Sequence, residues 1–258
     1  MLLLTIDIGN TNITFGVFDT SKKTLRYHWR IKTDHGRMAD EYGIIILGLM
    51  RHDRLRFEQI EGVAVASVVP PLTPVFVEMI ERFMHQTPLV VEAGVKTGVK
   101  IRYDSPRDVG ADRIVDAAAT FKLYGGPACV VDFGTATTFD AISRQGEYLG
   151  GAIAPGIGIA AEALASRTSK LPRVDLVRPP KAVGTNTVHA IQSGLILGYV
   201  GLVEGMVARF REELGSDMRV IGTGGLADTI AKETTVIEVV NPWLTLDGLR
   251  LIWEMNQP

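Results

Sequence analysis

Two acidic turns could do chemistry, because each places a carboxylate beside short polar side chains. In the first, an apolar run leads into Asp7, the residues Gly9, Asn10, Thr11 and Asn12 follow, and an alternating apolar run begins at Ile13. This pattern predicts a strand, a tight polar turn and a second strand. The turn's N–H groups and short side chains could bind an anion, with Asp7 holding a metal ion or a water molecule opposite it. An ordinary hairpin with an Asx turn has the same pattern, so this stretch alone leaves both interpretations open.

The second acidic turn repeats the first after nearly half the chain. Asp132 ends another apolar run, and Gly134, Thr135 and Thr137 align with Gly9, Asn10 and Asn12 at the same offset. A half-length repeat predicts two similar domains, each presenting a turn to a shared cleft. We place them at residues 1–115 and 116–258. A third turn, in residues 220–227, is rich in glycine and suits close approach to a nucleotide's base and ribose.

Residues 100–119 contain the strongest candidate for an acid or base. Asp108, Asp112 and Asp116 recur every four residues, and a Gly-Ala-Asp-Arg segment (residues 110–113) leads into a helical pattern. A carboxylate near a helix start is stabilised by the helix dipole, which is a purely structural explanation. We favour it for Asp108, whereas the context of Asp112 favours a functional role. Tyr103 precedes this segment on an extended stretch, where an isolated tyrosine is usually a packed aromatic.

The composition describes a compact protein of one large or two modest domains, since its 258 residues are 46% hydrophobic and 22% charged. A net charge of −2 gives no basic surface for nucleic acid or an anionic membrane. The start of the chain lacks a signal-peptide pattern, and the longest apolar runs are interrupted by Pro155 or Glu204. A single cysteine, Cys129, excludes an internal disulfide, and the histidines have no zinc-site spacing. We therefore expect a cytoplasmic protein.

Strands alternate with helices along the chain, which predicts an α/β fold with mixed sheets flanked by helices. Residues 148–158 are glycine-rich and suggest either a floor beneath a ligand or a flexible surface loop. A long helix is predicted over residues 188–213, where Gly194, Gly198, Gly201 and Gly205 form one stripe. Helical glycines are unfavourable by about 1 kcal/mol each relative to alanine, so close packing should offset them. The partner could be a helix of the same domain or a second subunit.

The three turns, in this order and spacing, resemble the phosphate 1, phosphate 2 and adenosine motifs of the actin, Hsp70 and sugar-kinase superfamily. With the Gly-Ala-Asp-Arg segment and Gly184-Thr185-Asn186-Thr187 added, nearly the whole chain resembles a type III pantothenate kinase. The resemblance implies two ribonuclease-H-like (actin-like ATPase) domains with a cleft between them. It also implies ATP-dependent phosphorylation of the primary alcohol of pantothenate, the first step towards coenzyme A, by a homodimer.

The resemblance further implies cofactors and site residues. ATP would come with Mg²⁺ or a similar divalent ion, together with K⁺ or NH₄⁺. Asp112 would be the general base, and Asp132 would bind the monovalent cation. Residues that would bind ATP are Asp7, Ile8, Gly9, Asn10, Thr11, Asn12, Ile13, Thr14 and Thr135. Residues that would bind pantothenate are Tyr103, Gly110, Ala111, Asp112, Arg113 and Thr187.

Two alternatives remain open at the level of sequence. The first is a non-catalytic accessory or regulatory protein of the same fold, against which the presence of Asp7, Asp112 and Asp132 argues. The second is a kinase for another small alcohol or acid, such as a sugar or acetate. An ATP hydrolysis or transfer assay tests the first alternative, and ADP release over a panel of candidate alcohols and acids tests the second.

Overall fold

A computed structural model describes residues 1–257, which form two compact units. Unit 1 comprises residues 1–99, 104–119 and the C-terminal segment from Thr245, and unit 2 comprises residues 100–103 and 120–244. These units are discontinuous and so differ from the continuous division expected at residues 115 and 116. The difference arises because the last helix packs against the first sheet, a contact between the two ends of the chain.

The chain alternates strands and helices in the order expected of an α/β protein. The strands are β1 (Leu2–Ile8), β2 (Asn12–Asp19), β3 (Thr24–Lys32), β4 (Ile60–Ser67), β5 (Leu89–Val90), β6 (Lys100–Ile101), β7 (Ala128–Phe133), β8 (Ala136–Ile142), β9 (Glu147–Pro155), β10 (Arg219–Gly224) and β11 (Val239–Val240). The helices are α1 (Ala39–His52), α2 (Thr73–Met84), α3 (Ala111–Tyr124), α4 (Ile157–Arg167), α5 (Thr187–Leu214), α6 (Ala227–Ala231) and α7 (Leu244–Met255).

The sheet of unit 1 has the strand order β3-β2-β1-β4-β5. β1, β2 and β3 form an antiparallel meander, and β4 and β5 run parallel to β1. One face carries the alternate residues Leu4, Ile6 and Ile8, which join Tyr42 of α1 and other residues of α1 and α2 in a buried apolar core. The face that carries Asp7 is therefore the opposite one.

Helix α7 covers part of that opposite face through contacts that require glycine. A β-carbon at Gly16 of β2 would lie 2.9 Å from Leu246, and one at Gly62 of β4 would lie 2.5 Å from the ring of Trp253. Gly248 of α7 is packed equally tightly against Val115 of α3. The two helices are thus fixed on the same side of the sheet as Asp7.

The sheet of unit 2 repeats this arrangement in the order β11-β10-β7-β8-β9-β6. β7, β8 and β9 form the antiparallel meander, and β10 and β11 run parallel to β7. Its core joins Val131 and Phe139 of the meander to Leu195 and Val203 of α5. The sequence repeat therefore corresponds to a repeat of topology.

The two acidic turns are not equal in length. Asp7 lies opposite Thr14, whereas Asp132 lies opposite Thr138, so the second turn is shorter by one residue. The predicted alignment of Asn12 with Thr137 is consequently wrong: Asn12 is exposed, whereas Thr137 is fully buried. The sequences match up to the turn and lose register after it.

The glycine-rich stretch from Tyr148 is a strand, β9, rather than a loop. It pairs along its length with β8, and a bulge lies between Ala141 and Ile142 of the partner strand. Gly150 has a positive φ of 117° in this strand, next to the bulge. Pairing with β8 thus outweighs the low intrinsic strand preference of glycine.

Helix α5 is the one helix in residues 1–257 whose length and composition would suffice to cross a membrane. The same length and composition also suit the core helix of a globular protein, and 39% of its most apolar window is buried. Ile191, Leu195, Val203 and Val207 of this helix lie in the core of unit 2. The burial of this face accounts for its apolar character.

Candidate functional site

The first acidic turn (residues 7–14) is closed by backbone hydrogen bonds and clamped from β3. The N–H of Gly9 donates to the carbonyl of Asn12 at 3.0 Å. Thr33 donates through its N–H to the carbonyl of Thr11 at 3.0 Å and through Oγ1 to the carbonyl of Gly9 at 2.6 Å. The turn therefore has one defined shape before any ligand binds.

The turn's side chains divide into an exposed group and a buried group. Asn10, Thr11 and Asn12 are exposed, whereas Ile8 and Ile13 are fully buried in the core of unit 1. The two isoleucines can therefore offer a ligand only their backbone. Glycine is favoured at position 9 because a β-carbon there would lie only 3.0 Å from the Asn12 carbonyl. A positive φ is not the reason, since Gly9 does not have one.

Asp7 lies at the end of β1, where the strand meets the turn. In the sheet register it stands beside Thr14 on β2 and beside Ala66 on β4. Neighbours in register project from the same face of a sheet, so the Asp7 carboxylate and the Thr14 hydroxyl lie on the same side. Asp7 is only partly buried, so part of the residue is accessible to solvent next to the turn.

The Gly-Ala-Asp-Arg segment starts helix α3, and Asp112 lies in its first turn. The Asp112 carboxylate accepts a hydrogen bond from the N–H of Arg113 at 2.7 Å and folds back over Gly110. A β-carbon at Gly110 would lie 2.5 Å from Oδ1 of Asp112, so this position of the carboxylate requires glycine.

The surroundings of Asp112 raise its pKa above the ordinary value for aspartate. Loss of hydration is the main cause, and it exceeds the opposing effects of the Arg113 N–H and guanidinium. The residue as a whole is partly accessible to solvent. A carboxylate with a raised pKa accepts a proton more readily, as a general base requires.

Val68 connects this segment to the first acidic turn. Its N–H donates to the carbonyl of Ile8 at 3.0 Å, and its Cγ1 would lie 3.3 Å from a β-carbon at Gly110. Asp112 and the end of β1 are thus held together within unit 1. Nothing in the sequence of residues 67–69 indicated this role, because it depends on a contact between distant segments.

In unit 2, the Asp132 carboxylate lies between two glycine turns. A β-carbon at Gly134 would lie 3.2 Å from Oδ2 of Asp132, and one at Gly224 would collide with Oδ1. The third predicted turn, after β10, therefore lies next to the second acidic turn. Gly156 packs equally closely against the carbonyl of Thr135, so three segments of unit 2 meet at this point.

Tyr103 lies over β9, where Gly150 leaves room for its ring. The ring is 39% exposed, and its Cε2 would lie 3.3 Å from a β-carbon at Gly150. The neighbouring ring of Tyr148 has its centroid 6.3 Å away at an interplanar angle of 51°. An exposed aromatic ring supported by a second ring is suited to contacting a ligand.

A buried polar pair that the sequence analysis missed supports Tyr148. The Tyr148 hydroxyl donates to Oδ1 of Asp140 at 2.9 Å, and the Thr138 hydroxyl donates to Oδ2 at 3.1 Å. Asp140 is 1% exposed and Tyr148 is fully buried. The signal in the sequence was a carboxylate between the apolar residues Phe139 and Ala141, since a buried carboxylate needs hydrogen-bond partners.

Thr187 is the first residue of helix α5. The preceding Asn186 caps the helix by accepting the N–H of His189 at 2.9 Å, and Gly184 packs on the backbone of Ala190. Thr187 is exposed next to the remaining free N–H groups of the helix start, a position that favours anions. Neither Tyr103 nor Asp132 has a contact with Thr187 among those given above.

Protein ligands alone do not form a metal centre in the described part of the chain. Residues 1–257 contain no group of three or more His, Cys, Asp or Glu side chains that could hold a metal ion. Cys129 is fully buried, and burial raises the pKa of its thiol far above the usual range.

The chain is similar in sequence to known proteins over nearly its whole length. The type III pantothenate kinase family model matches residues 3–209. A type III pantothenate kinase from Moorella thermoacetica is 54% identical over 99% of this chain and 100% of its own length. A type III pantothenate kinase from Roseiflexus castenholzii is 52% identical over 99% of this chain and 100% of its own length.

Solved structures with low sequence identity share the fold. A protein described as a Baf family transcriptional activator from Campylobacter jejuni has a TM-score of 0.64 at 20% identity and covers 98% of both chains. The activator of the 2-hydroxyisocaproyl-CoA dehydratase from Clostridium difficile has a TM-score of 0.56 at 13% identity, over 97% of this chain and 92% of its own. The expected α/β fold of actin-like ATPases and sugar kinases is confirmed.

Proposed function

Because the chain belongs to the type III pantothenate kinase family, and so phosphorylates pantothenate with ATP on the route to coenzyme A, we propose a role for each site residue. The observation that carries the proposal is the Asp112 carboxylate, held at the start of α3 next to the segment that follows β4. A carboxylate with a raised pKa, in the same unit as an anion-binding turn, is what transfer of a phosphoryl group to an alcohol requires.

We propose that residues 7–14 bind the phosphates of ATP. The side chains of Asn10, Thr11, Asn12 and Thr14 and the backbone of the turn would donate hydrogen bonds, whereas Ile8 and Ile13 would contribute only backbone groups. The clamp by Thr33 supports this role, since a turn fixed in advance loses little entropy on binding. In unit 2, Thr135 would assist from the second acidic turn.

A divalent cation fits this turn. Mg²⁺ prefers oxygen ligands and keeps several waters, so one or two carboxylates together with substrate phosphates are sufficient. Asp7 would supply such a carboxylate, either directly or through water. The cation would neutralise charge on the transferred phosphoryl group.

Asp112 would act as the general base. The hydroxyl oxygen of pantothenate forms a bond to the γ-phosphorus of ATP, the bond between that phosphorus and the β–γ bridging oxygen breaks, and ADP leaves. The hydroxyl proton passes to the Asp112 carboxylate. The N–H of Arg113 holds Oδ1 of Asp112 at 2.7 Å, which leaves Oδ2 to accept the proton.

In unit 1, pantothenate would contact the segment that contains Arg113. The Arg113 guanidinium offers a planar fork to the substrate carboxylate, and the backbone of Gly110 and Ala111 borders the same segment. In unit 2, the Tyr103 ring supplies an apolar surface, and Thr187 supplies a hydroxyl at a helix start. Asp132 would hold a monovalent cation, K⁺ or NH₄⁺, because its carboxylate lies among backbone turns that can add carbonyl ligands.

We further propose that the protein is a cytoplasmic homodimer that binds neither nucleic acid nor membrane. The net charge of −2 supports the absence of nucleic-acid and anionic-membrane binding. The stripe of glycines on α5 supports the dimer. Gly194, Gly198 and Gly201 are exposed, and apart from the neighbouring backbone of α5 no heavy atom of the described residues lies within 4 Å of a β-carbon built on them. Of the two packing partners considered for this stripe, a second subunit is therefore the one proposed.

Production of ADP tests the proposed function. Purified protein with Mg-ATP and K⁺ should release ADP only when pantothenate is present, and mass spectrometry should identify 4′-phosphopantothenate. A panel of sugars, acetate and other small alcohols serves as the control. Efficient transfer to one of these compounds without transfer to pantothenate would contradict the proposal, and so would the absence of any turnover.

A further inference from the structure

Strand β3, the edge strand of the first sheet, carries a basic side chain in the same row as Asp7. The register places Asp7 beside Thr14 and Thr14 beside Arg30. Because residues in register project from the same face, Asp7, Thr14 and Arg30 form one row across three strands. In the next row towards the turn, Lys32 stands beside Asn12.

Arg30 is exposed and has no carboxylate partner. Arg26 on the same strand lies 3.9 Å from Asp19, and Arg37 after the strand lies 3.4 Å from Asp34. Within residues 1–257, neither an ion pair nor a hydrogen bond engages the Arg30 guanidinium. Its charge is therefore not neutralised by this chain.

The distance from Arg30 to the first acidic turn is short enough for direct contact with a ligand. Neighbouring strands are about 4.8 Å apart, and an extended arginine side chain spans more than one such spacing. From β3 the guanidinium can reach across Thr14 to an anion that the turn holds. Its planar fork matches two oxygens of one phosphate group.

From this placement we propose that Arg30 binds the phosphates of ATP and that Lys32 adds positive charge beside it. The inference rests on the proposed assignment of residues 7–14 to the ATP phosphates. Arg30 would form the outer wall of that site, opposite Asp7 across Thr14, and would help to neutralise charge during transfer. The competing explanation is that Arg30 only keeps an exposed edge strand from pairing with other chains.

Substitution of Arg30 distinguishes these explanations. Arg30→Gln should raise the KM for ATP by about tenfold to a hundredfold, the range expected when a charged hydrogen bond is lost. The KM for pantothenate should stay within about twofold, and the melting temperature should not change, because the side chain is exposed. Arg30→Lys should recover part of the affinity, since it keeps the charge and loses the fork.

Arg26→Gln is the matched control, because it removes the same charge from the same strand at a position further from the turn. Its KM for ATP should equal that of the unmodified protein. Equal effects of Arg30→Gln and Arg26→Gln, or an unchanged KM for ATP in Arg30→Gln, would overturn the inference. Aggregation of Arg30→Gln with normal ATP affinity would instead support protection of the edge strand.

Binding of a non-hydrolysable ATP analogue, measured by calorimetry, separates this inference from the proposed function. If the unmodified protein binds the analogue but does not phosphorylate pantothenate, the proposed function fails, and Arg30 is still judged by its effect on analogue affinity. Weaker binding in Asp7→Asn together with unchanged binding in Arg30→Gln would support the turn and refute the role of Arg30. No binding by the unmodified protein would refute both.

Discussion

At the scale of single residues, the environment of Asp112 links its position to a testable chemical role. The carboxylate is packed over Gly110, and loss of hydration raises its pKa. The structural explanation, a carboxylate at a helix start, predicts an ionised group that stabilises α3. The functional explanation predicts a carboxylate whose ionisation is unfavourable to the fold and useful to the reaction.

Asp112→Asn should reduce kcat by about 10²–10⁴-fold, the usual contribution of a general base. ATP-analogue affinity should change little, because the proposed contact of Asp112 is with the alcohol. Asp108→Asn is the matched control, since Asp108 is exposed in a short 3-10 turn just before the same segment. Near-normal turnover of Asp112→Asn would return Asp112 to the helix-capping role.

The raised pKa of Asp112 also predicts a pH dependence. The base must be ionised, so kcat/KM should fall as pH drops through a pKa above the ordinary aspartate value. The unfolded chain loses this proton at lower pH than the folded chain does, so ionisation of Asp112 reduces stability as pH rises through that window. Asp112→Asn should therefore lack this loss of stability, measured by thermal unfolding across pH. A larger loss of stability with rising pH in Asp112→Asn than in the unmodified protein would contradict a raised pKa for Asp112.

At the scale of elements, β9 shows how one glycine can determine the position of an exposed aromatic ring. Gly150 combines a positive φ with a position beneath the Tyr103 ring, so any side chain there is strained and also displaces the ring. The Tyr148 ring lies next to the Tyr103 ring, and its hydrogen bond to the buried Asp140 fixes its position. The orientation of Tyr103 thus depends on three features of the β8–β9 hairpin.

Gly150→Ala should raise the KM for pantothenate severalfold and leave the KM for ATP unchanged. It should also destabilise the fold by about 1–3 kcal/mol, because alanine is strained at this φ. Gly158→Ala is the control: Gly158 lies in α4 with no atom within 4 Å of a built β-carbon, so alanine should be neutral or stabilising. Equal KM values for pantothenate in both variants would show that Tyr103 does not depend on Gly150.

The elements also show what could be predicted from the sequence. The strand, turn and strand around Asp7 and Asp132 follow from local patterns of apolar and polar residues, and so do helices α1, α2 and α5. Strand β9 could not be predicted, because its glycines form a strand only through pairing with β8. Likewise, the packing of α7 on Gly16 and Gly62 joins segments far apart in the chain, and a local pattern contains no information about it.

At the scale of the whole molecule, the repeat of topology is predictable, whereas the course of the chain between the units is not. Both sheets contain an antiparallel meander followed by parallel strands, as the two acidic turns suggest. The chain nevertheless enters unit 2 at residues 100–103 and returns to unit 1 at residues 104–119. It then forms the rest of unit 2 with residues 120–244 and returns to unit 1 from Thr245. Such crossings depend on which apolar faces cover each sheet, so they become visible only in the folded structure.

The exposed glycine stripe of α5 provides the prediction about assembly. Gly198→Leu places a large side chain where the described residues of the same chain leave open space, so a monomer should tolerate it without overpacking. If the stripe forms the proposed two-fold interface, the same leucine keeps the partner's backbone away and should convert dimer to monomer. Light scattering would report the mass, and circular dichroism would confirm that the helices remain folded.

Gly48→Leu is the matched control, because Gly48 is also an exposed helical glycine with open space around it but lies on α1 of unit 1. Its mass in solution should equal that of the unmodified protein. A Gly198→Leu variant that stays dimeric with unchanged stability would exclude the α5 stripe as the interface. A variant that stays dimeric but unfolds at lower temperature would show instead that the stripe packs within its own subunit.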